Sequence, residues 1–237
     1  MTQALVEAES LKFRWRPELP LVLDVSKISV SKGESVFIYG PSGSGKSTLL
    51  NLLGGVLQTA EGNLHVLGQN FSKLSAKDRD HLRGDQMGFI FQQFNLMPYL
   101  SVIENILLPI RFSERKRQKL HQMGVKAEVE ATRLLNHLKL NVDEVIQKPV
   151  AELSVGQQQR VAAARAMIGR PELIVADEPT SSLDAEARES FLRVLFSECR
   201  EAGSTLIFVS HDRELGKLFD RQIDLKALNK AYLAVET

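Results

Sequence analysis

The sequence predicts an α/β fold in which a parallel sheet is covered by helices, and three observations lead there. An apolar run, Val36-Phe37-Ile38-Tyr39, enters a glycine-rich loop and leaves it as the helix-like stretch Ser47-Thr48-Leu49-Leu50-Asn51-Leu52-Leu53. In the second half, short apolar runs at 173–176 and 205–210 alternate with helical patterns at 155–169 and 185–199, as strands buried on both faces require. The 237 residues, 43% hydrophobic and 25% charged, suit one soluble domain or an α/β core carrying a smaller subdomain.

In chain order, short β-strands are expected at 11–15, 21–30 and 36–39, the last after a Lys32-Gly33-Glu34 turn. The first helix covers 47–56. Two further β-like stretches, 63–67 and 87–91, bracket a polar connection rich in Lys and Asp. From 113 to 140 the pattern is helical and strongly charged, with a break at Gly124. The helix at 155–169 stops ahead of Pro171, the strands and helix named above follow, and a short helix comes after Asp212. The lone cysteine, Cys199, shares an apolar helical stripe with Phe191, Leu192 and Leu195, so it reads as packing. A single cysteine excludes an internal disulfide and suits a reducing compartment.

Charge and hydropathy exclude several classes. The formal net charge of +1 gives no global attraction to nucleic acid or acidic membrane. No apolar stretch approaches the ~20 residues that a membrane span needs. Glu7, Glu9 and Lys12 interrupt the start before a signal-peptide core is reached.

Residues 40–48 carry the chemistry. Gly40, Pro41, Ser42, Gly43, Ser44, Gly45, Lys46, Ser47 and Thr48 satisfy the phosphate-loop pattern G-x-x-x-x-G-K-[ST] in its strand–loop–helix context. Glycines let successive backbone N–H groups turn toward phosphate oxygens, and the helix N-terminus adds partial positive charge. Lys46 is placed to reach the β- and γ-phosphates, and the Ser47 hydroxyl to ligate Mg²⁺. A nucleoside triphosphate is therefore the expected ligand. A second feature is Leu173-Ile174-Val175-Ala176-Asp177-Glu178-Pro179-Thr180. An apolar strand ending in acids delivers carboxylates to the sheet edge, where the phosphate loop also emerges. Asp177 is the expected Mg²⁺ holder, since that ion prefers oxygen ligands. Glu178 is placed to polarise a water attacking the γ-phosphate.

Three more elements complete a pattern. Leu153-Ser154-Val155-Gly156-Gln157 precedes Asp177; Gln92 follows Phe89-Ile90-Phe91; and His211 follows Phe208-Val209-Ser210. Together with Ser181-Ser182-Leu183-Asp184, this ordered set closely resembles the ABC ATPases, as their signature, Q-loop, switch histidine and D-loop. The resemblance covers nearly the whole chain. It implies a P-loop NTPase (RecA-like) core of about residues 1–92 and 165–237, with an N-terminal antiparallel β subdomain. A helical signature subdomain would span about 93–164.

The resemblance also implies a shared active site that binds ATP and Mg²⁺. Two ATPase subunits meet head to tail, the second expected to be another copy of this chain. One offers Lys46, Ser47, Gln92, Asp177, Glu178 and His211; the other offers Ser154 and Gly156 with neighbouring Gln157. Gln92 joins Ser47 and Asp177 at the metal. Trp15 fits the family's adenine-stacking position, with Phe13 as the alternative. Stacking is worth roughly 1–3 kcal/mol for any base, so selectivity for ATP over GTP is expected to be modest. Val155 departs from the usual glycine of the signature, putting a β-branched residue where close approach to phosphate is normal.

Without membrane spans, a transport role needs a separate integral membrane permease, with this chain cytoplasmic and peripheral at the inner face of the membrane. Gln92-Gln93-Phe94-Asn95-Leu96-Met97-Pro98-Tyr99-Leu100 is unusually apolar for a connection, and the resemblance makes it the docking groove for a coupling helix. Leu49-Leu50-Asn51-Leu52-Leu53-Gly54-Gly55 and that same connection look like the group serving lipoprotein release, macrolide export and cell division. Ser181-Ser182 looks more like amino-acid importers, so export, import and regulation of a membrane enzyme stay open. A nucleic-acid machine is the other class. The interval from Gln92 to Ser154 is short and holds no Cys cluster, and the basic run Arg111, Arg115, Lys116, Arg117, Lys119 reads as a solvated helix face. No nucleic-acid partner is expected.

Overall fold

The computed structural model describes residues 4–59 and 61–233, so the first three and last four residues of the expected domain lie outside it. In chain order the elements are β1 (Ala4–Phe13), β2 (Leu23–Ser31), β3 (Ser35–Tyr39), α1 (Lys46–Leu53), β4 (Glu61–Val66), β5 (Gln69–Asn70), α2 (Ala76–Gln86) and β6 (Met87–Ile90). There follow α3 (Val102–Phe112), α4 (Glu114–Gln122), α5 (Ala127–His137), α6 (Val142–Val145), α7 (Val155–Met167), β7 (Leu173–Asp177), α8 (Ala185–Ala202) and β8 (Thr205–Val209). The chain closes with β9 (Arg221–Asp224), α9 (Leu225–Leu228) and α10 (Lys230–Leu233). They form two compact units, residues 1–83 with 205–237, and residues 84–204.

The first unit combines two sheets. β2, β1, β4 and β5 form an antiparallel sheet in that order, while β3 pairs in parallel with both β8 and β9. β1 begins well before the 11–15 expected, because Glu7 and Glu9 are the exposed half of an alternation whose other half, Val6 and Ala8, is fully buried. It also ends earlier, at Phe13, which leaves Trp15 beyond the strand. Behind β3 and β8, Phe37, Phe208 and Phe219 pack with ring centroids 5.1–6.1 Å apart. Truncating Phe37, which is wholly buried, to alanine costs about 3–5 kcal/mol. The helix expected after Asp212 is a 3₁₀ turn, Arg213–Leu218, capped by the Asp212 carboxylate on the Glu214 N–H.

In the second unit, β6 and β7 pair in parallel and the helices pack around α7. The run Ala162-Ala163-Ala164 is entirely buried, and small side chains bring α7 against β6. A Cβ on Gly88 would lie 2.0 Å from the Ala166 carbonyl oxygen, so only glycine fits there. α3, which sequence periodicity did not mark, starts at a capping box: Ser101 Oγ accepts from the Glu104 N–H and Glu104 Oε2 accepts from the Ser101 N–H. Those bonds from the Ser101 backbone and hydroxyl hold Glu104 below the usual carboxylate range. The Gly124 break is present, with φ of 69° between α4 and α5. α5 and α8 are joined by Arg133, whose guanidinium forks onto Glu130 and Glu198 at 2.7–2.9 Å. Cys199 is buried, and burial pushes its thiol up to about 12, so it is an inert packing residue.

The basic run at 111–119 is the solvated face expected at Arg111, Arg115 and Arg117, which are exposed, and departs from it at Lys116. Lys116 is buried and donates to the Met87 carbonyl at 2.9 Å. Arg115 and Lys119 reach Glu172 at 2.7 and 3.5 Å, and Arg117 donates to the carbonyls of Ile110 and Arg111. Lys116 alone of the run is internal, while its exposed neighbours are tied to Glu172 and to the end of α3. Burial pushes the Lys116 ammonium down to about 8, against the pull of Asp85 and Glu172.

Candidate functional site

In the first unit, β3 runs straight into the glycine-rich loop, and α1 begins at Lys46 behind the N-cap Gly45. Gly45 has φ of 96°, a left-handed conformation, and a Cβ there would lie 2.6 Å from Leu23 Cδ2. Conformation and space both exclude a side chain at this position. The four leucines of α1, Leu49, Leu50, Leu52 and Leu53, are buried and anchor the helix whose N-terminus faces the loop. Lys46 Nζ is drawn back onto the carbonyls of Gly40 and Pro41 at 2.8 and 3.0 Å. Ser44 Oγ is fully buried without a hydrogen-bond partner. An ammonium held only by neutral carbonyls beside an orphaned hydroxyl fits an anionic ligand. Ser42, Gly43 and Ser47 are exposed; Pro41 and Thr48 are half-buried.

His211 belongs to the same unit and the same sheet edge. β3 and β8 are parallel with Ile38 opposite Val209, and the Ser210 N–H donates to the Ile38 carbonyl at 3.2 Å. Gly40 and His211 thus each lie two residues past a register pair. Of the two aromatics considered for the base, Phe13 is buried at 6% and Trp15 is 58% exposed, edge-on to Phe13 with centroids 5.1 Å apart. The turn bearing Trp15 is closed by the Val22 N–H donating to the Phe13 carbonyl at 2.8 Å.

The second unit repeats the arrangement. β6 and β7 are parallel with Ile90 opposite Ala176, so Gln92 and Glu178 each lie two residues past a register pair. Asp177 ends β7, and both acids are half-buried. Glu178 has φ of 47°, a backbone conformation costing roughly 1–3 kcal/mol in a non-glycine residue. Oxygen donors of the kind carried by Ser47, Gln92 and Asp177 suit Mg²⁺. A set with one carboxylate is not a His/Cys/Asp/Glu cluster, and none of three or more is found among the described residues.

The signature lies at the start of α7. Ser154 is its N-cap: Ser154 Oγ accepts from the Gln157 N–H at 3.3 Å, and Gln157 Oε1 accepts from the Ser154 N–H at 2.9 Å. Val155 is the first helical residue and 54% exposed, so the β-branched side chain imposes no positive-φ strain there. A Cβ on Gly156 would meet only Leu183 Cδ2, at 3.8 Å. Asp184 caps α8 through the Ala187 N–H at 2.8 Å.

Three polar side chains position these loops and were not found by sequence reasoning. Gln159, fully buried in α7, donates to the Pro179 carbonyl and accepts from Ser182 Oγ at 3.1 Å, fixing the loop after Glu178. Asn105, fully buried in α3, accepts from the Met97 N–H at 2.8 Å and donates to the carbonyls of Met97, Leu100 and Ser101 at 3.1–3.3 Å. Arg165 of α7 donates to the carbonyls of Phe94 and Asn95, both at 2.6 Å. The only signal for them was a polar residue inside an apolar helical face. In the connection they hold, Tyr99 is 76% exposed and Met97 and Pro98 are exposed as well.

Comparison with known proteins gives the family. Residues 23–181 match the family described as ABC transporter. The chain is 37% identical over 221 residues to an uncharacterized ABC transporter ATP-binding protein, MJ0796, of Methanocaldococcus jannaschii, covering 90% of this chain and 89% of that one. It is 37% identical over 205 residues to the lipoprotein-releasing system ATP-binding protein LolD of Porphyromonas gingivalis, covering 86% and 90%. Among solved structures, it is similar to a dimeric post-hydrolysis state of the ATP-binding cassette MJ0796 bound to ADP and Pi. That likeness has a TM-score of 0.79 and 33% identity, over 96% of this chain and 95% of the other.

Proposed function

The chain belongs to the ABC transporter family as an ATP-hydrolysing ABC ATPase subunit, and from that premise we propose that it powers a separate membrane permease by the mechanotransmission or export mode. The observation that carries the reading is the phosphate loop, where the Lys46 ammonium, on the Gly40 and Pro41 carbonyls, lies at the N-terminus of α1. In this reading Gly40 to Thr48 hold the triphosphate, Lys46 neutralises its β- and γ-oxygens, and Trp15 stacks on adenine, since Phe13 is buried. Ser47, Gln92 and Asp177 hold Mg²⁺, which when bound neutralises phosphate charge. Glu178 accepts the proton of the attacking water, and His211 stabilises the γ-phosphate. Ser154, Gly156 and Gln157 of a second copy complete each site, which makes a head-to-tail homodimer the working form.

The core in this proposal comprises about residues 1–92 and 165–237, and the helical subdomain about 93–164. No helix among the described residues is long and apolar enough to cross a membrane. The exposed Met97-Pro98-Tyr99 stretch then receives the permease at the cytoplasmic face, and Gln92 at its base links nucleotide state to the partner. Likeness to a lipoprotein-releasing system ATP-binding protein supports the export or mechanotransmission mode, and the partner proposed for that mode has few spans and a large extracytoplasmic domain. Purifying the Glu178→Gln chain from membranes with ATP tests this. Recovery of an integral membrane protein of that topology is expected. A many-spanning permease with a binding protein would redirect the reading to import, and a soluble dimer alone would remove the transport role.

A further inference from the structure

Past the catalytic segments, the end of the chain returns to the phosphate loop through one side chain. Asn229, between α9 and α10, is fully buried. Its Nδ2 donates to the carbonyls of Ser44 at 3.0 Å and Val22 at 2.9 Å, and its Oδ1 accepts from the N–H groups of Asp24 at 2.9 Å and Ala231 at 3.2 Å. Both hydrogens and both lone pairs of the carboxamide are used. Ser44 is part of the phosphate loop. Val22 and Asp24 end the turn that carries Trp15 and begin β2. One amide therefore ties the loop, the Trp15 turn and the C-terminal segment together.

Tolerances at this junction are small. Leu23, between the two tethered residues, is the side chain that a Cβ on Gly45 would strike, and the same Cβ would sit 3.3 Å from the Val22 carbonyl oxygen. A Cβ on Gly40 would lie 2.7 Å from Ser44 Oγ, with the Lys226 backbone nitrogen in ordinary contact at 3.6 Å. The segment bearing Asn229 is itself fixed. Asp224, opposite Tyr39 in the β3–β9 register, caps α9 through the N–H groups of Lys226 and Ala227. A trans peptide points its C=O and N–H in opposite directions. With the Ser44 carbonyl held toward Asn229, the Gly45 N–H is directed away from it.

We propose that Asn229 is a positioning residue for nucleotide binding, which sets the Ser44–Gly45 peptide and the spacing of the Trp15 turn from the loop. It acts through the backbone and touches no substrate. The inference rests on the reading that residues 40–48 hold triphosphate.

Asn229→Asp is the informative variant. It is nearly isosteric, keeps both acceptor bonds and loses both donations. The expected result by calorimetry is an ATP Kd raised about tenfold or more, with KM for hydrolysis rising in parallel and kcat changing less. Trp15 is the only tryptophan, so its emission reports the turn without nucleotide and should shift in the variant. Lys46→Ala separates the two levels of the argument. If it binds ATP as the parent does, the phosphate-loop reading fails. If it loses ATP while folded Asn229→Asp keeps the parental Kd and KM, only the role of Asn229 is overturned. Hydrogen exchange on the parent decides the matter should the variant not fold. ATP should slow exchange at 225–231 together with 40–48, and protection confined to 40–48 overturns the proposal.

Discussion

The two units present their proposed catalytic segments in the same way, and both hold them by buried amides. The first adds steric limits at a glycine, whereas the second adds left-handed backbone at non-glycine residues. In each, two segments leave the C-terminal ends of paired parallel strands: the phosphate loop and His211 in one, Gln92 and Asp177-Glu178 in the other. The phosphate loop is fixed by steric limits at Gly45 and by the buried amide of Asn229. The loops of the second unit hang from polar clamps, Asn105, Arg165 and Gln159, and pass through left-handed backbone at Phe94, Asn95 and Glu178. A clamp worth roughly 1–3 kcal/mol opposes strain of similar size. The first unit is thus built to keep one geometry. The second sets side-chain clamps against left-handed backbone at Phe94, Asn95 and Glu178.

The sharpest way to break this comparison is to disable each unit once. Glu178→Gln is expected to lower kcat about 10²–10⁴-fold with ATP affinity unchanged, whereas Lys46→Ala is expected to lose ATP itself. Calorimetry beside phosphate-release assays separates the two, and equal loss of binding in both would end the division of labour. Next in size is Asn105→Leu, which removes the partner of the Met97 N–H and of the Met97, Leu100 and Ser101 carbonyls and leaves apolar surface in their place. A loss of about 2–4 kcal/mol in urea unfolding is expected, with proteolytic nicking inside 93–101 and none in 40–48.

A pH measurement sharpens the account of the second unit further. Lys116, with its pKa pushed down to about 8 from the ordinary 10.5, binds fewer protons folded than unfolded between those values. Parental stability from this group therefore rises with pH across that window and is constant below it. Lys116→Met removes the burial cost, so its stability relative to the parent should fall from pH 8 to pH 10 by about 1–3 kcal/mol. A difference that is flat with pH contradicts the burial account. The smallest effect is expected for Val155→Gly. The position is helical and exposed, so a loss of about 0.5 kcal/mol or less and an unchanged ATP Kd are expected. A large gain in turnover would mean that the branched side chain obstructs the partner subunit.

What was legible in the sequence was local chemistry in strong periodic context. The β3–loop–α1 unit, the apolar β7 ending in Asp177, and the Ser154 cap of α7 each combine a motif with an unambiguous pattern. β1 was cut short because Glu7 and Glu9 mask an alternating strand. α2 shows no apolar stripe in the sequence, because Arg79 is its one buried residue. α3 was missed because Pro109 interrupts a pattern that a capping box and Asn105 rescue. The residues that position the site were the least legible. Asn229, Gln159 and Arg165 act on backbone carbonyls far away in sequence, and no local pattern marks a side chain whose partners are set by the fold.

The central claim is that one copy holds ATP and a second copy completes the site. Light scattering during gel filtration of Glu178→Gln tests it most directly, with Mg²⁺ and either ATP or ADP. The account predicts a dimer with ATP and a monomer with ADP. A chain that binds ATP by calorimetry yet remains monomeric at every concentration would contradict it.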